Sequence, residues 1–356
     1  MQGNFNNIIE FYNRIKETPR LSKDYCVVFV YNSANKIRDY IHVSECIYPD
    51  EYDMIMNSFR KSADYVYSYD GEIAFAKAIP NLKQKHNYIL VYSMAQNIDG
   101  IGRRCFIPIL CNYYNLINIG AGFMESVYGG SKFLMYEMTK DLPNVNYPKT
   151  YYISSHEDIE KLFINSLKGL WLLKPNDESA SIGMEVFNPE ELSKEDLKTK
   201  LLNYQKQYPI FCIQKYIEGE EVAVPLLWYK NEYYCPGISQ VVFHTEHKYL
   251  DYDTVALGNC SYKEYLGSLS TKLIQSSINI ANRLGFKAIS RIDFRIKDKI
   301  GYIEDIGPNP TLSEYNGANE LFRIRLNAQG CCVYQLMLYV ALEQYGLFEP
   351  SLNYSK

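Results

Sequence analysis

The stretch ISRIDFRIKDKIGYIEDIGPNP, residues 289–310, decides our interpretation of the fold. Two runs of alternating apolar and charged residues flank the polar segment 297–300, and this pattern predicts an antiparallel hairpin. Side chains two residues apart on a strand share a face. The first strand should therefore carry Arg291, Asp293 and Arg295 on one side.

Two acidic residues, Glu304 and Asp305, interrupt the apolar run of the second strand just before a turn. Regular alternation pairs Tyr302 with Glu304 on one face, and places on the other face Ile303, Asp305, Gly307 and Asn309. An antiparallel neighbour brings Asp293 close to Asp305, and two such carboxylates repel unless a cation separates them. Magnesium binds one or two carboxylates and completes its shell with water and phosphate oxygens. The alternative is a surface hairpin with solvated charges.

The composition is that of an ordinary globular chain of 356 residues, long enough for two or three domains. The formal net charge of −4 gives no reason to expect nucleic-acid binding. Nine scattered cysteines without a CxxC pair are typical of reduced thiols in a cytoplasmic protein. The first residues lack the apolar core of a signal peptide, and no uninterrupted apolar run of about 18 residues predicts a membrane span.

Strands and helices alternate in the first third of the chain, which favours a parallel α/β lobe. The patterns there predict helices over 1–20, 48–62 and 106–116, and strands over 25–31, 88–94 and 117–122. Further along they predict helices over 129–142, 189–207 and 268–285, and two more at the end of the chain. Strands are predicted over 150–154 and 169–175 and at the end of 177–187. Two further strands are predicted within 211–229, around the turn 218–220. The fold class is therefore α/β with α+β character.

Two lysines occupy positions suited to an anion. Lys174 ends the apolar strand GLWLL, where a rigid element places it, although an edge-strand lysine that blocks aggregation is the alternative. Lys132 follows Gly129, Gly130 and Ser131 at a helix start, where free N–H groups favour an anion. The small residues in 178–183 would let backbone N–H groups approach a phosphate. Each signal is weak alone.

These features, in this order, resemble the ATP-grasp superfamily and, within it, the D-alanine–D-alanine ligase family. The similarity spreads from about residue 97 to 345, and its most specific segments are LLKPNDESASIG, IQKYIEGEEVAV and RIDFRIKDKIGYIEDIGPNPTLS. The resemblance implies an N-terminal substrate lobe (1–122), a central ATP-grasp lobe (123–210) and a C-terminal ATP-grasp lobe with the metal site (211–356). The last two lobes would sandwich ATP.

The resemblance also implies roles for individual residues. Around the nucleotide it places Lys132 and Lys174 at the phosphates, and Glu221 at the ribose. The loop that closes over the phosphates would contain Ser179, Ala180, Ser181, Ile182 and Gly183. The adenine would be lined by Gln214, Lys215, Tyr216 and Ile217. As catalytic residues it implies Arg291 at the reacting carbonyl oxygen, aided by a backbone N–H near Thr311, together with Ser181 and the mobile-loop pair Lys248 and Tyr249. Asp293 and Asp305 would hold magnesium, with two ions expected.

Several positions depart from the family pattern. Asp305 and Gly307 stand where the family usually has Glu and Asn, so Asn309 would have to replace the lost ligand on an extended chain. Thr311 replaces a glycine, and the serine that grips the second substrate is matched at best by Asn316. The glycine-rich opening of the first lobe is replaced by VFVYNSANKIRDY. Nucleotide chemistry is supported by these residues, whereas D-alanine as substrate is not.

The function implied is ATP-dependent carboxylate–amine ligation of amino-acid-like substrates through an acyl phosphate. A dipeptide or peptide-tailoring ligase of secondary metabolism is an alternative, because the first lobe is unfamiliar. An ATP-grasp kinase and a non-catalytic nucleotide-binding homologue are further alternatives. A homodimer is expected by family analogy.

Overall fold

The protein is described here from a computed structural model. The structure describes residues 1–33, 46–96, 100–162, 167–179, 181–244, 259–312, 316–330 and 332–348. The described strands form three sheets. In strand order, the first sheet contains 66–70, 25–31, 88–93 and 117–118, and the second contains 150–153, 211–215, 171–175 and 185–187. The third contains 260–264, 239–243, 220–229, 289–297 and 300–307, and 232–234 also pairs with 220–229. Within these ranges no helix combines the length and apolar composition needed to cross a bilayer.

The first sheet is parallel, as predicted, and its strands alternate with helices. Its elements are α1 (Asn6–Glu17), β1 (Tyr25–Tyr31), α2 (Pro49–Arg60), β2 (Val66–Asp70), α3 (Glu72–Lys85), β3 (Tyr88–Ser93), α4 (Phe106–Tyr114) and β4 (Ile117–Asn118). The interior of β1 is buried on both faces, which is typical of a parallel strand covered by helices. The predicted strand over 117–122 keeps only two residues in the ladder.

Sequence reasoning missed β2 and α3 in this lobe. All five residues of β2 are half-buried, and the strand VYSYD contains Ser68 and Asp70, so it lacks the continuous apolar run by which the neighbouring strands were predicted. The helix α3 buries Phe75, Ile79 and Leu82 at helical spacing but carries Pro80 inside it, and an internal proline reads as a helix break.

The second sheet is antiparallel and belongs to the middle of the chain. Its elements, with the helices around them, are α5 (Phe123–Gly129), α6 (Lys132–Thr139), β5 (Thr150–Ile153), α7 (His156–Leu162), β6 (Trp171–Pro175), β7 (Glu185–Phe187), a 3₁₀ turn (Pro189–Glu191), α8 (Lys194–Gln207) and β8 (Phe211–Lys215). The predicted helix over 129–142 is α6, which begins only at Lys132, after Gly130 and the capping residue Ser131, and ends at Thr139. The helix before it, α5, was not predicted.

The third sheet carries the quoted hairpin. Its elements are β9 (Glu220–Tyr229), β10 (Glu232–Tyr234), β11 (Ser239–Phe243), β12 (Cys260–Glu264), α9 (Ser270–Leu284), β13 (Ile289–Lys297) and β14 (Ile300–Gly307). The predicted hairpin is confirmed, and Asp298 and Lys299 both adopt positive φ in its two-residue turn. Asp residues tolerate this left-handed conformation better than most side chains.

The two predicted strands within 211–229 form, but they belong to different sheets. β8 pairs with β5 and β6, whereas β9 lies between β11 and β13. The turn at Gly219 therefore carries the chain from one sheet to the next. A side chain on Gly219 would place its Cβ 2.0 Å from the carbonyl oxygen of Ile296, so the crossing needs glycine.

The last helices, α10 (Gly317–Arg325) and α11 (Cys332–Gln344), close the fold. α11 is buried on nearly every side and shares one core with α1, α2 and the parallel sheet. Within that core the ring of Tyr334 lies 5.3 Å from Tyr92 and 6.0 Å from Phe59. The first lobe thus completes its core with the last helix of the chain.

Candidate active site

An open cleft of about 830 Å³ lies between the second sheet and the third sheet. Its charged lining residues are Lys132, Lys174, Glu178, Glu221, Arg291, Asp293, Arg295, Glu304 and Asp305. Four are cationic and five are acidic, so the cleft offers partners to a phosphate chain and to a metal ion at once. Such a concentration of opposite charges in one concave site is typical of a functional site.

Lys132 begins α6, and the hydroxyl of Ser131 caps that helix by accepting from the N–H of Leu134. The Lys132 ammonium is buried, and its Nζ donates to the carbonyl oxygen of Glu178 at 2.6 Å. Burial lowers the pKa of Lys132, since the charged form loses hydration. An anion at this position would restore a counter-charge to the lysine.

Lys174 lies on the buried strand β6, so a rigid element positions its ammonium, as predicted from the sequence. Its Nζ lies 2.9 Å from Oε1 of Glu304. Burial is the largest single influence and disfavours the charged ammonium, but Glu304 and other nearby groups such as Asp305 together leave the pKa of Lys174 above its ordinary value. Lys174 is therefore charged and already paired before any nucleotide binds.

The hairpin contains a β-bulge that regular alternation did not predict. Asp293 pairs with Asp305, but the next pair is Phe294 with Ile303, which leaves Glu304 as an extra residue. Ile303 and Ile306 both enter the core below the sheet. Glu304 and Asp305 consequently both line the cleft, and our assignment of these acids to opposite faces is wrong.

Arg291 and Asp293 form a close pair on the cleft face of β13. The Arg291 Nε lies 2.8 Å from one carboxylate oxygen of Asp293, and its Nη2 lies 2.7 Å from the other. Burial raises the pKa of Asp293 even though Arg291 opposes that shift. Asp305, opposite Asp293, is exposed to the cleft.

Glu221 opens the buried part of β9 next to β13. Its Oε2 lies 2.6 Å from Nη2 of Arg295, whose side chain is 2 % exposed. The guanidinium of Arg295 also lies over the ring of Tyr216, 5.6 Å from the ring centroid. Burial raises the pKa of Glu221 to about 7 although Arg295 opposes the shift.

The residues on either side of position 180 border the cleft, and two residues of this stretch adopt a left-handed backbone conformation. Ser181 and Gly183 have φ values of +58° and +69°. A side chain on Gly183 would place its Cβ 2.5 Å from the ring of Tyr208, so both φ and space require glycine there. Ser179, Ser181 and Ile182 line the cleft.

Known proteins show the same architecture. The structure matches D-alanine–D-alanine ligase from Bacillus anthracis complexed with ATP with a TM-score of 0.64 and 13 % identity, over 92 % of this chain and 99 % of that one. It matches D-alanyl-alanine synthetase A from Vibrio cholerae with a TM-score of 0.66 and 11 % identity, over 90 % and 99 % of the two chains. N5-carboxyaminoimidazole synthetase from Staphylococcus aureus gives a TM-score of 0.63 and 13 % identity over 91 % of this chain and 79 % of that one.

The sequence comparisons point the same way, although no protein-family model matches the chain. D-alanine–D-alanine ligase from Fervidobacterium nodosum is 29 % identical over 211 residues, which are 55 % of this chain and 64 % of the relative. The ligase from Flavobacterium psychrophilum is 26 % identical over 215 residues, 57 % of this chain and 62 % of the relative. The chain thus matches less than two thirds of the length of either relative.

The chain has the ATP-grasp fold of these solved structures, and part of its sequence is similar to D-alanine–D-alanine ligases.

The cleft does not gather every residue that the resemblance implies. Tyr216 lines the cleft, whereas Gln214 donates its amide to Oγ1 of Thr150 at 3.1 Å, and the Lys215 ammonium donates to the carbonyl oxygen of Lys168. Neither these two side chains nor that of Ile217 is among the lining residues. The predicted residues Ala180, Lys248 and Tyr249 lie outside the described residues.

Asn309 does not line the cleft with Asp293 and Asp305, where we predicted that it would bind a metal ion. The expectation required an extended chain beyond Gly307, but β14 ends at that residue and Pro308 follows. The Asn309 amide instead donates to the carbonyl oxygen of Ser93 at 3.1 Å, and the side chain lines a second cavity beside the first lobe. The structure therefore corrects the proposal that Asn309 replaces the family's asparagine ligand.

Two arginines of the first lobe were missed although they contact Glu178 and Ser179 beside the cleft. An Arg103 guanidinium nitrogen lies 3.1 Å from a carboxylate oxygen of Glu178, and both side chains are about one-tenth exposed. Arg104 donates to the hydroxyl of Ser179 at 3.0 Å and to the side-chain oxygen of Gln96 at 2.8 Å. The only sequence signal was an adjacent arginine pair, which reads equally well as a solvated surface.

The residues of the cleft fit one magnesium ion. The paired strand ends bring Asp293 and Asp305 together, and a hard cation with one or two carboxylates and substrate phosphates is what magnesium prefers. Among the described residues no cluster of three or more His, Cys, Asp or Glu side chains forms an all-protein metal cage. With Asn309 elsewhere, the second ion expected from the resemblance lacks the ligand that we assigned to it.

Proposed function

We propose that this protein is an ATP-dependent carboxylate–amine ligase that joins two small amino-acid-like substrates through an acyl phosphate. The observation that carries the proposal is the single cleft between two sheets in which Lys132 and Lys174 face Arg291, Asp293 and Asp305. Cations for a phosphate chain, carboxylates for its metal ion and a guanidinium for an oxyanion are the parts that such a reaction needs.

The nucleotide would lie along this cleft. Lys132 and Lys174 would bind its phosphates, with the loop 179–183 supplying backbone N–H groups above them. Glu221 would accept hydrogen bonds from the ribose hydroxyls, and the base would lie near Tyr216. The arrangement of charge supports this direction, because Glu304 and Arg295 lie between Lys174 and Glu221.

In the first step a substrate carboxylate oxygen attacks the terminal phosphorus of ATP, the bond to the bridging oxygen breaks, and ADP leaves. The attacking group is already an anion, so catalysis rests on positioning and on cancelling charge repulsion. Lys132 and Lys174 supply positive charge from the second sheet. When bound, magnesium at Asp293 and Asp305 would neutralise phosphate charge from the third sheet.

In the second step an amine nitrogen attacks the acyl carbon, loses a proton, and forms an amide as inorganic phosphate leaves. Arg291 would stabilise the oxyanion of the tetrahedral intermediate, a role that is typically worth about 3–4 kcal/mol. Asp293 holds the Arg291 guanidinium by two hydrogen bonds, and so fixes the direction in which its free N–H groups point. The loop 178–183 would exclude water, which otherwise hydrolyses the acyl phosphate.

A second cavity supports a substrate position in the first lobe. It lies at the carboxyl ends of β3 and β4, where open parallel sheets bind their ligands. Ser93, Arg104 and Asn118 line it from the first lobe, and Asn309 lines it from the segment after β14. A carboxylate substrate held there would approach the cleft past the end of the metal-binding strand.

We propose that the enzyme acts in the cytoplasm. The described cysteines are all free thiols, which suits a cytoplasmic enzyme acting on small molecules. A ligase of secondary metabolism and a ligase of cell-wall precursors use the same chemistry, and the substrates distinguish them.

The test is a screen of ADP and phosphate release over pairs of D- and L-amino acids and hydroxy acids, with ATP and magnesium. A ligase releases phosphate only when a carboxylate and an acceptor are both present. ADP formation that needs a single substrate and releases no phosphate would identify a kinase instead. Tight ATP binding without ADP formation by any pair would favour the non-catalytic homologue.

A further inference from the structure

Four side chains of alternating charge run across the floor of the cleft, and we call them the charge row: Lys174, Glu304, Arg295 and Glu221. The Lys174 Nζ lies 2.9 Å from Oε1 of Glu304, and Oε2 of Glu304 lies 3.4 Å from Nε of Arg295. The row ends at Glu221, 2.6 Å from Arg295. It links β6 of the second sheet to β14, β13 and β9 of the third sheet.

The two ends of the row are the residues proposed to bind nucleotide, whereas the two inner members have no role in that proposal. Glu304 enters the row only because of the bulge, since regular alternation would turn it away from Asp305 and out of the cleft. Arg295 is 2 % exposed, and a charge buried to this degree persists only with partners on its donors. Burying the charges of Glu304 and Arg295 in the site therefore costs free energy of desolvation.

We propose that Glu304 and Arg295 are positioning residues for the nucleotide, Glu304 acting on the phosphates through Lys174 and Arg295 acting on the ribose through Glu221. This inference rests on the proposed nucleotide site. Long side chains such as lysine and glutamate lose considerable rotamer entropy when a ligand fixes them. A partner that fixes them beforehand leaves less entropy to be lost on binding.

Geometry favours Arg295 as the organiser of the row. A planar guanidinium presents several donors at fixed angles, so it can hold two carboxylates in a set orientation. The ring of Tyr216 covers one of its faces, 5.6 Å from the ring centroid, and limits rotation of the plane. Arg295 and Glu221 are also direct register partners on β13 and β9, which keeps their backbones in a fixed relation.

The rival role is purely structural, with the row acting as an ion-pair network that joins two sheets. The two roles differ in what they do to nucleotide selectivity. A structural network changes the unfolding temperature and affects all ligands alike. A positioning network changes the preference between nucleotides that differ in the group that is positioned.

The first test compares ATP with 2′-deoxy-ATP, measured by calorimetric titration of the full chain in magnesium. We expect the Arg295→Met variant to lose at least tenfold in ATP affinity but much less in 2′-deoxy-ATP affinity. The ratio of ATP affinity to 2′-deoxy-ATP affinity should therefore fall towards one. Arg295→Lys should recover part of the ratio. Arg323→Met removes a matched Arg–Glu pair, 2.6 Å from Glu320 on α10, and should leave the ratio unchanged. An unchanged ratio in Arg295→Met would overturn the role of Arg295.

The second test examines Glu304, and serves if Arg295→Met does not fold. Glu304→Leu should weaken ATP at least tenfold and leave adenosine, which lacks phosphates, within twofold of the wild type. Glu304→Gln keeps an acceptor for Lys174 and should stay within about threefold for both ligands. Equal losses for ATP and adenosine would contradict the inference. A wild-type protein that binds neither ATP nor 2′-deoxy-ATP would instead contradict the proposed function.

Discussion

Asp293 and Asp305 are register partners on adjacent antiparallel strands, one held by Arg291 and the other exposed to the cleft. This relationship joins the proposed metal ligand to the proposed oxyanion donor. A magnesium ion that binds Asp293 must share it with a guanidinium. The position of Arg291 and the binding of the ion are therefore coupled.

The first prediction concerns Asp293. Asp293→Asn should reduce ADP formation at least a hundredfold, because it removes a carboxylate from the ion and loosens the hold on Arg291. The fold should persist, since asparagine has the same shape. ADP release and thermal unfolding are the measurements. Asp298→Asn, in the exposed hairpin turn with φ of +52°, is a matched control that should keep full turnover. Full turnover in Asp293→Asn would remove the metal assignment.

The second prediction concerns Lys174. Lys174→Ala should weaken ATP binding at least tenfold. The unfolding temperature measured without ATP should change by much less in proportion. Glu304 would lose its nearest partner but would keep Arg295 at 3.4 Å, which limits the structural damage. Calorimetric titration and a thermal melt of the same sample give both quantities. Parallel losses in the two would favour a structural lysine.

The third prediction concerns the contact between the first lobe and the nucleotide loop. Arg103→Met would leave the Glu178 carboxylate without this ion pair, in a site where both side chains are about one-tenth exposed. We expect the KM for ATP to rise about three- to tenfold, and the loop 178–183 to become more sensitive to limited proteolysis. Lys200→Met removes the more exposed ion pair with Glu185 in the same lobe and should change neither. Equal proteolysis of both variants would show that Arg103 does not restrain the loop.

The fourth prediction is a pH dependence of stability. Glu125 is 8 % exposed, its Oε1 accepts from the N–H of Lys287 at 3.1 Å, and its Oε2 has no hydrogen-bond partner among the described residues. Burial raises its pKa from 4.5 to about 7 although backbone hydrogen bonds oppose the shift. A carboxyl group with a raised folded pKa contributes stability below its unfolded pKa, and this is lost as the pH rises towards the folded value.

The free energy of unfolding should therefore fall between pH 5 and pH 8 by up to about 3 kcal/mol more in the wild type than in Glu125→Gln. Denaturant unfolding across that range measures the difference. The glutamine keeps an acceptor for Lys287 and cannot ionise. A constant difference between the two proteins would mean that Glu125 does not titrate in this range.

Much of the architecture followed from the residues alone because its signals are local. The strand YCVVFVY and the hairpin 289–307 are regular apolar patterns, and both formed at the expected places. Lys174 was identified because a charged residue at the end of an apolar strand is conspicuous. Strand β2 was missed because it is half-buried and lacks the continuous apolar run of its neighbours β1 and β3.

The rest of the site depends on relations that no short stretch contains. The bulge at Glu304 reverses the face of one residue, and only the register against β13 reveals it. The pairing of Arg103 with Glu178 joins positions 75 residues apart, and the pairing of Lys174 with Glu304 joins positions 130 residues apart. Asn309 failed as a predicted ligand because Gly307 ends the strand, which spacing alone does not show.

The packing of α11 onto the first lobe has a consequence for how the protein is made. Residues 25–93 contain three strands of the parallel sheet and are synthesised well before α11. The rings of Tyr92 and Phe59, however, pack against the ring of Tyr334 in α11. Contacts of such long sequence separation form slowly. The nascent first lobe must therefore keep an apolar surface exposed until α11 has been synthesised, and a chaperone would be needed most during that interval.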